Sequence, residues 1–417
     1  PGGAPGAVGG ERGGVGCWVS YRFCNEYGEE SSPGDEGMKG AVVIGGHVQG
    51  LGIVRILGKH GVPCYLLDDT SVNIARHSRY CKKFFKIPGT SSLTDYLINL
   101  SVKDNLQDWM VIPTNDRHVK ELSQNKPELE KYFKVCVDCW ENIEKCYNKK
   151  LTYELAQQQN IPIPKTFFPQ SVEDLQNCDI PFPCIIKPAV MHLLYEKTKR
   201  KVIVCSNKED LIRGYAWVQN IIPKEDIIVQ EIIPGNSEQQ YSACFFFDRT
   251  KPYVSLLAKR KRQIPPDFGK ATTFAETVYE PHVMDLAVSL LKCIRYWGLC
   301  EVEFKLDMRD NEYKLLEVNP RTWKWHSIAN RSDSPFLISL YNSIYCNKPI
   351  IKNDWEKTYW RDFFTDVWIR VKTQGLTTIF SDINSHGSRI EDSVFNKDDL
   401  MPFLFELLYL PIIALKR

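Results

Sequence analysis

Residues 299–323 read "LCEVEFKLDMRDNEYKLLEVNPRTW". In the first half a period of two puts Glu301, Glu303 and Lys305 on one face of a strand and Val302, Phe304 and Leu306 on the other. The same period aligns Leu315, Glu317 and Asn319 in the second half. The connection "MRDN" carries turn residues, so the two halves read as neighbouring antiparallel strands. A three-residue loop at Arg309, Asp310 and Asn311 sets Glu303 opposite Glu317 on one face, whereas a two-residue loop sends them to opposite faces. Glu303, Glu317 and Asn319 on one face are hard oxygen ligands, suited to a Mg²⁺ ion that also holds nucleotide phosphates. The plain alternative is a solvated charged face. Asn319-Pro320-Arg321 weighs against it, because it places a guanidinium beside the same face.

Upstream, "FPCIIKP" leaves Lys187 at the end of an apolar run, where a lone lysine could equally reach to solvent. "IIVQEIIPGNSEQQY" is a strand stopped by Pro234-Gly235, with Glu238 close behind. The run Lys259, Arg260, Lys261, Arg262 before "QIPPDFG" reads either as solvated charge or as a clamp for an anionic substrate. From about residue 150 many strands mix with helices, an α+β texture. Residues from Met38 to about 140 instead alternate strand, glycine turn, helix and strand, which predicts a doubly wound domain with a parallel sheet. Gly45, Gly46, Gly50 and Gly52 do not follow G-x-G-x-x-G, so they read as a tight strand-to-helix turn or as a backbone cradle for a small anion. Thr114, Asn115 and Asp116 leave a later strand in the same way.

A chain of 417 residues exceeds one ordinary core, so two or three packed subdomains are expected. A formal charge of +2 gives no whole-molecule field marking a nucleic-acid binder. The fourteen cysteines sit mostly in apolar runs and read as reduced core thiols of a cytosolic protein. Cys136 and Cys139, with Cys146 nearby, lack the second pair a zinc site needs. Residues 1–37 are rich in Gly and Pro and are expected to form a flexible extension. The closing "LMPFLFELLYLPIIALKR" is interrupted by Glu406 and Pro411 and is too short to span a bilayer, so it reads as a helix packed on the body of the protein, with interfacial membrane contact the alternative.

Taken in order, Lys149, Lys187, "VQEIIPG", Glu238, "EVEFK" and "LLEVNPR" resemble the nucleotide-binding module of ATP-grasp enzymes. "YSACFFF", "RKRQIPPDFG", "KLLEVNPRTWKWHS" and "SVFNKDDLMP" resemble the carboxylate–amine ligase branch, related in outline to D-aspartate ligases. The specific element is Glu-Val-Asn-Pro-Arg with a second Glu fourteen residues earlier. The resemblance covers residues 38–417 and implies a Rossmann-like pre-ATP-grasp domain at 38–140. It implies a two-lobed ATP-grasp fold with a small lobe at 141–228 and a large lobe at 229–345, then a helical or irregular segment at 346–417.

By the same resemblance, Lys149 and Lys187 contact ATP phosphates, with Lys150 the alternative to Lys149. Gln230, Glu231 and the backbone of Ile232 and Ile233 lie on the nucleotide, Glu231 onward facing adenine. Glu238 accepts from ribose hydroxyls. Glu303, Glu317 and Asn319 bind Mg²⁺, while Arg321, Lys187 and Arg262 serve the transferring group or the acyl phosphate. The implied partners are a small carboxylate and an amine, amino-acid-like, with no nucleic acid and no membrane span; a homodimer is left open. The rivals are an ATP-grasp enzyme with a non-amine acceptor, such as a carboxylase or thiol ligase, and a non-catalytic nucleotide-binding scaffold.

Overall fold

The computed structural model describes residues 23–24, 30–31, 38–89, 92–265, 271–375 and 389–415. Phe23–Cys24 and Glu30–Ser31 pair as a short antiparallel ladder, and the rest of the expected extension lies outside the described residues.

Strands β1 (Ala41–Ile44), β2 (Cys64–Asp68), β3 (Cys81–Lys86), β4 (Trp109–Pro113) and β5 (Phe133–Val135) form a wholly parallel sheet in the order β3-β2-β1-β4-β5. The central β1 is apolar and buried at all four positions, the signature of a strand covered on both faces. The helix Val48–Lys59 that follows is capped by His47, whose ring accepts from Gln49 N. This helix docks on the turn at His326–Ile328: a Cβ on Gly52 would meet the His326 ring at 2.7 Å, so only glycine allows that approach. Gln49 Nε2 also donates to Thr322 O (2.7 Å), fixing the first domain beside Arg321.

A second, antiparallel sheet has the order β8-β7-β9-β6, from β6 (Thr166–Phe167), β7 (Cys184–Pro188), β8 (Ile203–Cys205) and β9 (Ile227–Glu231). It has its own core, including Ile186, Leu194, Leu211, Tyr215 and Val229. The third sheet runs β14-β13-β10-β11-β12-β15-β16, from β10 (Gln240–Asp248), β11 (Lys251–Ile264), β12 (Ala271–Thr277), β13 (Trp297–Asp307), β14 (Glu312–Asn319), β15 (Tyr359–Arg361) and β16 (Ile390–Asp392). Its cores are continuous with those of the parallel sheet: Val42 and Val111 share one cluster with Phe245, Val302 and Phe304.

One expected boundary shifts. Strand β9 crosses residue 228 and completes the small lobe, because its two-sided apolar run fits between β7 and β6. Within 346–417, expected to be helical or irregular, β15 and β16 extend the large sheet. The last helix of this segment, Met401–Leu415, packs on the first domain through Phe405, stacked on His77, and Tyr409, whose hydroxyl meets His77 Nε2 at 2.9 Å. Among the described residues no helix is long and apolar enough to cross a membrane.

Candidate functional site

The β13–β14 hairpin places Glu303 opposite Glu317 and Glu301 opposite Asn319. The route differs from the expected three-residue loop. Asp307 pairs with Glu312 around a four-residue connection, a register that by itself would set Glu303 against Leu316. A one-residue bulge at Leu316 restores the alignment. Tyr153 Oη donates to the Leu316 carbonyl (2.8 Å), and Leu315 N donates to Pro162 O (2.8 Å), so the bulge is anchored.

The hairpin forms one wall of a cavity of about 1060 Å³ between the two lobes. Lys149, Lys187, Gln230, Glu231, Ile232, Ile233, Glu238, Arg260, Arg262, Glu303 and Glu317 all line it. Lys149 opens the helix Lys149–Gln158, where the helix dipole disfavours a cation. Glu317 supplies the compensation: its Oε2 lies 2.7 Å from Lys149 Nζ. The lysine in turn holds the Glu317 carboxyl down to about 2. Of the neighbouring lysines, Lys149 lines the cavity, whereas Lys150 lies over the Phe168 ring. Asn148 caps this helix by accepting from Lys150 N.

Lys187 enters from β7 and is 8% exposed. Its Nζ donates to Tyr153 Oη (2.8 Å) and Gln230 Oε1 (2.7 Å), both neutral, and burial lowers its pKa. Gln230 is set in turn by donating to Thr166 Oγ1 (2.8 Å). Glu231 closes β9. Its carboxylate accepts from Lys165 N (2.7 Å) and Arg309 (2.7 Å), while Ile232 N donates to Pro183 O (3.3 Å). Lys305 donates to the carbonyls of Ile233 and Gly235, holding that strap in place. Glu238 pairs with Lys261 (2.9 Å) at the half-exposed mouth.

The basic run divides its labour differently from the expectation. Arg262 is drawn to Asp366 by two 2.8 Å bonds and lies over the Phe274 ring, so its fork is committed to the wall. Arg260 reaches the carboxylate face instead, 3.2 Å from Glu303 Oε2. The register slips of β11 against β12 between Arg260 and Gln263 part these two side chains, and alternation alone could not reveal that.

Asn319 lies between two carboxylates and a guanidinium. Its Nδ2 donates to Glu301 Oε2 (3.2 Å) and Glu303 Oε1 (3.3 Å), while its Oδ1 accepts from Arg321 (3.2 Å). Arg321 is forked on Asp116, Nε to Oδ1 at 2.6 Å, the first residue of a helix on the parallel-sheet domain. Glu301 is 4% exposed, and burial beside Glu303 pushes it up to about 8. Burial raises Glu303 too, against the pull of Arg260.

At the glycine turn the structural reading prevails. Gly45 N donates to Leu67 O and Gly46 N to Asp68 Oδ2, so both amides are occupied. Gly45 has φ of +106°, and a Cβ there would strike Thr114 Oγ1. Thr114 donates to Ile44 O (2.7 Å) and accepts from His47 Nε2 (3.1 Å). His47 is exposed as a residue, yet desolvation of its ring, with Arg321 and Lys324 nearby, pushes it down to about 4 and keeps it neutral.

Among the described residues no three His, Cys, Asp or Glu converge to hold a metal, and Cys136 and Cys146 are buried while Cys139 is exposed. A cation at the hairpin would therefore rest on Glu303 and Glu317 with neutral oxygens. The donor set fits, since the ammonium of Lys149 and the guanidinium of Arg260 already sit on these two carboxylates as cationic stand-ins. Asn319 would join through Oδ1, the edge now turned to Arg321.

Two of these residues carried a signal that was not taken up. Tyr153 lies four residues after Lys149, on the same helical face. Glu301 shares the alternation that singled out Glu303.

Residues 270–334 match the family model described as carbamoyl-phosphate synthase L chain, ATP binding domain. The chain is 26% identical over 233 residues to a D-aspartate ligase of Enterococcus faecium (strain Aus0004), covering 52% of this chain and 54% of that one, so the match spans about half of each protein. The structure resembles N5-carboxyaminoimidazole synthetase from Staphylococcus aureus with a TM-score of 0.60 at 14% identity, covering 87% and 88% of the two chains. It resembles the L-amino acid ligase from Bacillus licheniformis with 0.58 at 14%, covering 75% of each. The biotin carboxylase domain of the Hydrogenobacter thermophilus 2-oxoglutarate carboxylase, complexed with MgADP, ADP and bicarbonate, gives 0.61 at 14%, covering 78% and 74%. At these identities the solved structures speak for the fold.

Proposed function

We propose that this chain, which has the ATP-grasp fold, is an ATP- and Mg²⁺-dependent ligase that activates a small carboxylate as an acyl phosphate and passes it to an amine. The observation that carries the reading is the Glu303–Glu317 pair facing one cavity with Lys149, Lys187 and Arg260, and with Arg321 tied to Asn319 beside it. The sequence relation to a D-aspartate ligase supports an amine acceptor.

In this mechanism the base lies against Ile232 and Ile233 and the ribose meets Glu238. Lys187 and Lys149 bind the phosphates as point charges, so Lys149 leaves Glu317 as the nucleotide arrives. Glu303, Glu317 and Asn319 would hold a Mg²⁺ ion, which would supply charge neutralisation at the phosphates. A carboxylate oxygen of the acid attacks the γ-phosphorus as the bond to ADP breaks. The amine nitrogen then attacks the acyl carbon, the bond to phosphate breaks, and the amine loses a proton. Arg260 and Arg321 stabilise charge on the transferring group and on the tetrahedral centre. Arg321 also joins the two domains through Asp116, which suits a second substrate bound where they meet.

The test is a screen of amino acids and small acids with ATP and Mg²⁺. ADP is expected only with the right acid, and hydroxylamine in place of the amine should yield a hydroxamate. Accumulation of AMP and pyrophosphate would replace the acyl phosphate with an adenylate. ADP formed with bicarbonate alone would favour the carboxylase reading.

A further inference from the structure

Glu301 stands behind the cavity wall rather than on it: Glu303, its neighbour two residues on, lines the cavity, and Glu301 does not. The chain nonetheless places a carboxyl there, 4% exposed, on a strand whose opposite face carries the apolar Cys300, Val302 and Phe304 into the core. Its Oε1 is sealed from solvent without a hydrogen bond of good geometry among the described residues, although the Ser242 hydroxyl on β10 interacts with the same carboxyl. Its Oε2 accepts from Asn319 Nδ2 at 3.2 Å, across the directly opposed strand position. A buried acceptor with a spare oxygen is costly. The contact that uses it is with the amide expected to serve the cation and Arg321.

An amide has two edges, and Asn319 must show the right one. Its Nδ2 has two N–H groups; Glu301 and Glu303 take one each, and Oδ1 is left to Arg321. A cation at Glu303 would compete for that carboxylate, leaving Glu301 as the acceptor that still holds the Nδ2 edge. We propose that Glu301 is a positioning residue of this centre: by accepting from Asn319 Nδ2 it fixes the Asn319 oxygen toward Arg321 and the cation. The inference rests on the proposed reading of the hairpin as a metal site. What Glu301 must supply is an acceptor at that point; an amide oxygen there would serve as well.

The test uses the full chain, with Mn²⁺ as probe, titrated by the loss of the free-ion electron paramagnetic resonance signal in the presence of ADP. Glu301→Met keeps length and volume but removes the acceptor, and should weaken Mn²⁺ binding by about 10- to 100-fold, as loss of an outer-shell partner does. Glu301→Gln restores an acceptor and should return binding to within about threefold of wild type. Wild-type affinity in Glu301→Met would overturn the proposal, as would a loss in Glu301→Gln equal to that in Glu301→Met, which would assign the effect to charge alone. Should Glu301→Met not fold, Glu301→Asp withdraws the carboxyl by one methylene and carries the same expectation. If the wild-type protein binds neither Mn²⁺ nor ADP, the metal-site reading itself falls and this proposal with it; normal wild-type binding with an indifferent Glu301→Met sinks the proposal alone.

Discussion

Lys149 and Lys187 enter one cavity from different elements, and their surroundings are opposite. Lys149, at a helix N-terminus, sits on the Glu317 carboxylate, whereas Lys187, in the small-lobe sheet, has a tyrosine hydroxyl and an amide oxygen. Around the hairpin the charges are paired as Lys149–Glu317, Arg260–Glu303 and Arg321–Asp116. Lys187 is instead held by neutral partners, and burial lowers its pKa. A cation paired with a carboxylate and a buried cation held by neutral partners should respond oppositely when the charge is removed.

The largest effect that would break this contrast is at the shared carboxylate. Glu317→Gln should lower acid-dependent ADP formation by about a thousandfold or more, several kcal/mol of barrier, because metal-borne charge stabilisation is lost. The fold should survive, as read by circular dichroism; unchanged turnover would remove Glu317 from the site.

Next in size are the lysines themselves. Lys187→Met should weaken ADP binding by about 1.5–3 kcal/mol, roughly tenfold to a hundredfold, while leaving the nucleotide-free protein as stable as wild type or more so. Lys149→Met should do the reverse to stability, since it strands Glu317. Breaking a fully buried pair costs about 3–5 kcal/mol, but the Glu317 side chain is 36% exposed to the cleft, which reduces the expectation to about 1–2 kcal/mol. Calorimetry for binding and urea unfolding for stability separate the two; a destabilised Lys187→Met would mean that its neutral partners satisfy it fully.

How far such residues could be read in advance depends on the range of the interaction that places them. The parallel domain and the carboxylate hairpin were legible, because a glycine turn after an apolar strand and a period of two are local signals. Pairing of Glu303 with Glu317 was legible only as one of two registers, since the bulge at Leu316 that produces it depends on Tyr153 and Pro162 far away in the chain. The parting of Arg260 from Arg262 arises from slips against β12 and from Asp366, about a hundred residues on. Glu231 was assigned by its place in a motif, but Arg309 and Lys165 hold its carboxylate, and no pattern within β9 announces them. Strands β15 and β16 are three residues each, too short to carry a periodicity.

Tyr153 joins the two lysine environments, receiving from Lys187 and donating to the bulge. Tyr153→Phe should cost about 1–2 kcal/mol of stability, the net worth of two hydrogen bonds, and raise the ADP dissociation constant only a few-fold. A loss of turnover as deep as that of Glu317→Gln would instead show that the bulge register, and with it the Glu303–Glu317 pairing, depends on this hydroxyl.

The smallest effect is on pH dependence, and the two lysine sites should differ in the limb they control. Glu317 is held down to about 2, against about 4.3 in an unfolded chain. A depressed carboxyl contributes stability that is present above the unfolded value and is lost as pH falls from about 4.3 toward 2. Lys187 is depressed as well, but as a base: the unfolded chain then binds more protons, so stability rises with pH from the folded value toward about 10.4. Urea unfolding across pH should therefore show a flatter acid limb in Glu317→Gln, by under about 1 kcal/mol because the carboxylate is partly solvated, and no alkaline rise in Lys187→Met. An acid limb unchanged in Glu317→Gln would mean that Lys149 does not rest on Glu317 in solution, and the contrast between the two lysines would collapse into two unpaired charges awaiting the same phosphates.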